Sequence, residues 1–559
     1  MNKLFAASSL AALLIAPSIL LTSAHAAEPD ISAARLSEHV KVISSDAYEG
    51  RGPATPAETR TIDYLVGQMK AEGLQPGGDP DAKAPGGRRW TQDVPLARFE
   101  VTGPIGLSVT AGGQTRALTQ TQEIVVQTLV PTDHVAIKDA PLVFVGYGVK
   151  APERHWDDFK GVDLHGKIAV VLINDPDFEA DLGGRFDGKA MTYYGRWTYK
   201  YEEAARQGAL GMLIVHETAP AAYGWNTVKN SNANAQFDIV RSDPGKAHPL
   251  LQGWIQRDLA VDLFAKSGLD FEALKKAAQR EDFHPVELKG ARFSADYAVN
   301  SSQIVSHNVL GVLPGTRRPD ETVIYTAHWD HLGVGEPDAR GDRIYNGAVD
   351  NGTGVAAVLE LGRAYAAAPR TERSVVFLLV TAEEKGLLGS DYYATHPLYP
   401  AARTVADLNM DALATDGAAR DFSVSGDGKV TLLDELVSVG KAHGRTFVPD
   451  PTPEAGHFYR SDHFSFAKVG IPAISFHSGE DLVNGGVAAG RAWATEYTAH
   501  RYHQPADEWS ADWDLSGQVQ DITLLYDLGR DLATSDRWPE WKPGSEFKAL
   551  RDATAAERK

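Results

Sequence analysis

The chain has 559 residues and a mass of 60.4 kDa, too long for one ordinary core, so two domains are expected, and 43% hydrophobic residues suffice to fill them. A formal charge of −19, from 55 basic against 74 acidic residues, argues against nucleic acid or an anionic membrane surface as partner. With no cysteine there is no disulfide, no thiolate metal site and no cysteine nucleophile, which leaves imidazole and carboxylate chemistry.

Residues 1–26 read as a secretory signal. Lys3 supplies the positive start, residues 4–21 the apolar segment, and Ala24-His25-Ala26 a small-x-small cleavage site. Ser8, Ser9, Pro17 and Ser18 interrupt the apolar run and no basic stop-transfer cluster follows, so cleavage is expected rather than anchoring. Export without disulfides points to a bacterial periplasm or to secretion.

Over 31–74 the pattern is helical: Leu36, Val40, Val42 and Ile43, then Ile62, Leu65, Val66 and Met69, recur at spacings of three and four around a turn-rich loop at 44–53. A Gly- and Pro-rich surface loop at 76–87 and strands such as 123–127 follow. Strand-like runs at 141–148, 166–173 and 211–215, with a helix at 200–208, describe an α/β module over 131–295 that carries no cluster of metal ligands. From 305 onward short all-apolar strands (308–313, 322–326, 374–380, 471–476) alternate with helices such as 354–367, which implies a mainly parallel sheet covered on both faces. In such sheets ligands bind beyond the carboxyl ends of the strands. Residues 538–559 read as a polar, partly mobile tail.

The chemistry-bearing residues fall at those strand ends. Thr326-Ala327-His328-Trp329-Asp330-His331 offers a His-x-Asp in which Asp330 can fix the imidazole of His328, as metal-bound histidines require, with His331 structural or pocket-lining. Asp350, in Asn346-Gly347-Ala348-Val349-Asp350-Asn351-Gly352, is either a helix cap or a ligand, and the neighbouring His-x-Asp favours the ligand. Glu383 and Glu384 end an apolar strand, where one can ligate while the other accepts a proton from the attacking water. Asp411 closes Leu408-Asn409-Met410-Asp411, and His503 lies in a Pro-terminated loop with His500 as competitor.

The order His-x-Asp, Gly-x-x-Asp-Asn-x-x-Gly, Glu-Glu, Asn-x-Asp, His resembles the M28 zinc aminopeptidases, the group that includes leucyl aminopeptidases and glutamate carboxypeptidase. The resemblance implies an α/β zinc-exopeptidase fold, with the catalytic domain at 27–130 and 296–537. It also implies two Zn2+ ions, with His328 and Asp411 on one, Glu384 and His503 on the other and Asp350 bridging. Glu383 becomes the general base, Asp330 the partner of His328, and the Asp350-Asn351 peptide bond is expected to be cis. Asp163-Leu164-His165-Gly166-Lys167-Ile168-Ala169-Val170-Val171, with the helix that follows, is similar to the protease-associated domain, which implies an inserted domain at 131–295 acting in substrate access. Arg460-Ser461-Asp462-His463-Phe464 also matches a family segment, so His463 or Tyr459 is expected in the substrate pocket. The expected activity is removal of N-terminal residues from peptides. The rivals are a glutamate carboxypeptidase-like enzyme and a non-catalytic binding protein of the transferrin-receptor kind.

Overall fold

The strand Arg373–Val380 is buried at all eight positions. Val375, Phe377 and Leu379 meet residues of the helices Ala33–Ile43, Gly354–Ala367 and Ser516–Thr534, whereas Val376, Leu378 and Val380 join Tyr393 and Phe466 on the other side. Successive side chains point to opposite faces, so a strand apolar at every position needs a cover on both. Each fully buried aliphatic or aromatic side chain contributes about 1.5–3 kcal/mol to that packing.

The computed structural model describes residues 29–180, 182–426 and 428–558; the signal sequence read at 1–26 lies outside them. Arg373–Val380, Arg318–His328, Thr404–Met410 and Ala473–Ser478 are mutually parallel neighbours. The expected α/β class, with a mainly parallel sheet flanked by helices, is therefore what the chain forms. A second parallel set, His134–Phe144, Ile168–Leu172, Gly211–His216 and Leu251–Gln256, builds a second lobe with its own apolar cores.

The lobes share one strand. Val286–Leu313 runs for 28 residues; its start pairs with His134–Phe144 and its end with Arg373–Val380, and Thr91–Ala111 lies antiparallel along most of it. The domain boundary expected at 295/296 falls inside this strand, because no turn interrupts its half-buried alternation there. Phe99, Leu107, Val109, Ile124 and Val126, which precede residue 131, pack in the core of the second lobe.

The expected tail is a correction: Trp541 and Phe547 are buried in the main core. Arg551, 1% exposed, donates to the carbonyls of Thr404 and Val405 at 2.9 and 3.4 Å. Two aromatics and a cation satisfied by strand-end carbonyls bury enough surface to dock a segment whose composition is polar. Among the described residues no helix is long and apolar enough to cross a membrane.

One half-buried acid, Glu72, stands beside the helices of the first lobe. Glu72 follows the helix Pro56–Ala71, and its Oε2 is buried without a hydrogen bond. Burial, then the charge of Glu360, pushes its carboxyl up to about 8, against a smaller opposing pull from Arg363. A carboxyl raised in the folded state binds its proton more tightly there than in the unfolded chain, so stability falls as pH rises from about 4 towards 8. Glu72→Gln is therefore expected to raise the melting temperature by a few degrees at pH 9 and to leave it unchanged below about pH 4, as measured by calorimetry across that range.

Candidate metal centre and active-site cleft

Six side chains from five separate segments converge beyond the carboxyl ends of the parallel strands. His328 is the last residue of Arg318–His328, Asp411 follows Thr404–Met410, and Glu383 and Glu384 begin a short 3-10 turn after Arg373–Val380. Asp350 Oδ1 lies 3.2 Å from His328 Nε2 and its Oδ2 3.3 Å from His503 Nε2. His328 Nε2 is also 3.3 Å from Asp411 Oδ1, and His503 Nε2 is 3.0 Å from Glu384 Oε2. His328, Asp350 and Asp411 form one group of potential ligands, and His331, Asp350 and Glu384 another.

The turn that presents Asp350 is held from several sides. Gly347 has φ 58°, and a Cβ there would come within 2.5 Å of the His331 ring, so glycine is needed for both conformation and space. Capping of the helix Gly354–Ala367 falls to Asn351: its Oδ1 accepts from Gly354 N at 2.8 Å and its Nδ2 donates to Met410 O at 3.0 Å. Asp350 is thereby left to face the imidazoles. Its own amide and that of Val349 donate to Asp507 at 3.0–3.2 Å. The Asp350-Asn351 peptide bond is cis, as the family resemblance implies. Ala382, Ala412 and His503, each at or beside a candidate ligand, hold positive φ values of 53°, 52° and 56°, the kind of strain that persists only where surrounding contacts enforce it.

Asp330 holds His328 mainly through its backbone. The Nδ1 of His328 is 3.1 Å from the Asp330 carbonyl and 3.8 Å from its carboxylate, which instead accepts from Glu383 N at 3.1 Å. A carbonyl only accepts, so Nδ1 carries a proton, and Nε2, which faces Asp350 and Asp411, is the nitrogen left for a metal.

Arg51 and Asp507 are functional-site residues that the sequence reading did not assign, and His331, expected as structural or pocket-lining, stands against Glu384. Arg51 is fully buried and donates to the carbonyls of Trp329, Ile43, Asn346 and Gly347 at 2.6–3.0 Å. It ties the segment after His328 to the turn before Asp350. Its signal was a lone Arg between glycines in a loop, Gly50-Arg51-Gly52, which has no periodicity to read. His331 Nδ1 lies 2.5 Å from Glu384 Oε1, leaving Oε2 for His503.

Burial lowers the basicity of His328, but the charges of Glu383 and Asp411 and hydrogen bonds to Asp350 and Asp411 outweigh it and raise the imidazole well above its usual range. Glu383 is pushed well above the usual carboxylate range by burial and by the charges of Glu384, Asp411 and Asp462, against the opposing charge of His328. Its carboxylate is thus an unusually strong proton acceptor.

A cleft of about 1260 Å³ opens between the lobes over this cluster. Asp350, Glu383, Asp411, Tyr502 and His503 line one side, and Tyr223, Trp225, Asn226 and Thr227 of the second lobe line the other. Its floor beside Asp411 is polar, lined by Ser475, Ser423 and His477, whose Nε2 lies 2.7 Å from Ser425 Oγ. The expected pocket residues need correcting. His463 is fully buried with its ring against Phe458, and Tyr459 packs on Phe464 and Tyr193, because this segment turns inward under the aromatic core. The members of the segment that face the cleft are His457, Arg460 and Ser461.

Carboxylate and imidazole donors without thiolates suit zinc. The geometry fits a bound cation: Glu384 Oε1 and both His331 ring nitrogens are buried without a hydrogen-bond partner, although Glu384 and His331 approach closely. An α/β sheet with such donors gathered beyond its strand ends is an arrangement that can hold a catalytic metal. Residues 308–526 match peptidase family M28. The chain is 27% identical over 206 residues to Aminopeptidase YwaD of Bacillus subtilis, covering 36% of this chain and 39% of that protein. It is 33% identical over 175 residues to Probable lipoprotein aminopeptidase LpqL of Mycobacterium tuberculosis, covering 29% and 35%. The chain thus spans well under half the length of these curated relatives. The solved aminopeptidase from Aneurinibacillus sp. strain AM-1 superposes over 92% of this chain and 97% of its own, with a TM-score of 0.53 at 19% identity, which shows a shared fold. The segment similar to peptidase family M28, residues 308–526, contains His328, Asp350, Glu383, Glu384, Asp411 and His503.

Replacing Arg51 removes the donor of four buried carbonyls and a buried cation that feels the charges of Asp507, Asp330, Asp350 and Glu384. Arg51→Met is expected to lower unfolding stability by about 3–5 kcal/mol in urea titrations of the metal-free protein. A loss below about 1 kcal/mol would mean that water replaces the guanidinium.

Proposed function

We propose that the protein is an exported exopeptidase that works with two zinc ions and removes N-terminal residues from peptides. The observation that carries this reading is the division of Asp350, whose two carboxylate oxygens face different imidazoles at 3.2 and 3.3 Å. His328 and Asp411 hold one ion, Glu384 and His503 the other, and Asp350 both. When bound, the ions polarise the scissile carbonyl and lower the pKa of the attacking water. Glu383, on the wall of the cleft and 3.9 Å from His328, takes the proton from that water and delivers it to the leaving amine. Asp330 fixes the Nδ1–H tautomer of His328 through its carbonyl and steadies the Glu383 backbone through its carboxylate. The acid-lined end of the cleft favours a free ammonium at the peptide N-terminus, and the polar floor beside Asp411 receives the first side chain.

The similarity to Aminopeptidase YwaD and to Probable lipoprotein aminopeptidase LpqL supports aminopeptidase action and export. The second lobe, resembling the protease-associated domain, shields the cleft. The partners are peptides, with no nucleic acid or membrane involved after signal removal. One observation favours the carboxypeptidase alternative: Arg460 faces the cleft, stacked on Tyr223 at 4.8 Å and donating to Ala221 O, and a guanidinium suits a substrate carboxylate.

A peptide panel on the zinc-loaded protein separates the two. Unblocked peptides are expected to be cleaved and their N-acetylated forms spared; the reverse pattern would establish the carboxypeptidase. In the same assay Glu383→Gln is expected to lose roughly 10²- to 10⁴-fold in kcat with its zinc content, measured by elemental analysis, unchanged.

A further inference from the structure

The ligand set around His503 is completed from the other lobe. The helix Trp225–Ala233 ends against this residue: Ser231 Oγ lies 2.8 Å from His503 Nδ1, and Asn230 Nδ2 donates to the His503 carbonyl at 2.9 Å. The same turn accepts Lys385 Nζ on the Ser231 carbonyl at 3.1 Å. Lys385 directly follows Glu384, so one helix end grips both segments that carry the second ligand pair. Asn230 and Lys385 are buried, at 5% and 8% exposure, so these contacts are not loose surface pairings.

The hydroxyl of Ser231 has a defined role. Its single proton goes to the Thr227 carbonyl, 2.8 Å away and an acceptor only. Towards His503 the oxygen can therefore only accept, which requires the proton on Nδ1 and leaves the lone pair on Nε2, facing Glu384 at 3.0 Å and Asp350 at 3.3 Å. This is the relation that the Asp330 carbonyl has to His328, supplied here by a residue far from the family-matching segment 308–526. The same helix carries Trp225, Asn226 and Thr227 into the cleft, so the element that orients His503 is also a wall of the substrate chamber.

We infer that Ser231 is the positioning residue of the second zinc site: its hydroxyl holds His503 in the metal-binding tautomer, and that site is complete only with the helix Trp225–Ala233 docked. The inference rests on the two-zinc reading above, with Glu384 and His503 on the second ion. Partners of metal-bound imidazoles typically carry 10- to 100-fold in affinity.

The test is zinc content and affinity, measured by competition with a chromophoric chelator on the full-length chain and on Ser231→Ala, Ser231→Thr and Ser231→Val. Thr and Val have the same shape, and only Thr keeps the accepting oxygen, so their difference isolates the hydroxyl even if either substitution strains the helix. The melting temperature of each metal-free variant reports its folding separately. The expected result is two zincs in the unaltered protein and in Ser231→Thr. In Ser231→Ala and Ser231→Val one zinc should remain tight and the other weaken roughly 10- to 100-fold. Two zincs held equally well by Thr and Val variants would overturn the role of Ser231 while leaving the two-zinc reading intact. Fewer than two zincs in the unaltered protein would overturn both.

Discussion

Everything in the first lobe converges on keeping one carboxylate, Asp350, pointed at two imidazoles at once. A side chain cannot do that unless its backbone is immobile, and the turn that carries it is secured by groups from distant parts of the chain. Asp507 takes the amides of Val349 and Asp350, Arg51 takes the carbonyls of Asn346 and Gly347, and Asn351 bridges the following helix to Met410. None of these groups faces a substrate. They convert a glycine-rich turn, conformationally permissive by composition, into a rigid mount.

The electrostatic consequence is a cluster of acids that the protein alone neutralises only in part. Asp330, Asp350, Glu383 and Glu384 gather within a buried region where the fixed cations are Arg51 and Lys385, and burial drives both of those below their usual range, to about 10 and about 8. Like charges at such separations destabilise the fold unless protons or cations offset them. In the proposed centre that offset comes from dications, and metal binding then contributes to the stability of the fold as well as to the chemistry. Burial and acidic neighbours drive both Glu383 and Asp330 towards their neutral forms, and of the two only Glu383 lies on the cleft wall, 3.9 Å from His328. This is how a base and a ligand can be adjacent residues yet differ in role.

The long strand Val286–Leu313 explains how a second lobe can take part in a site built by the first. A strand shared by both sheets and paired along most of its length with Thr91–Ala111 is far stiffer than a linker. It brings the helix Trp225–Ala233 to His503 with side-chain precision, and it makes the cleft a property of both lobes.

Residue types and order in the sequence determined the α/β class, the apolar strands, and His328, Asp350, Glu383, Glu384, Asp411 and His503 as a set. Each of these residues sits at the end of a strand or in a turn whose local pattern is readable, and acids after wholly apolar strands are an uncommon combination. The boundary of the second lobe, the docking of 538–558, the pocket-facing members of the 457–464 segment, and the roles of Arg51, His331, Asp507 and Ser231 came only with the tertiary structure. Arg51 meets the carbonyls of Trp329, Asn346 and Gly347, and Ser231 meets His503, across hundreds of residues. A hydrogen bond of that kind leaves no periodicity or spacing in the chain. Local pattern records which face of an element is apolar, whereas the partner of a buried polar group depends on which elements the fold brings together.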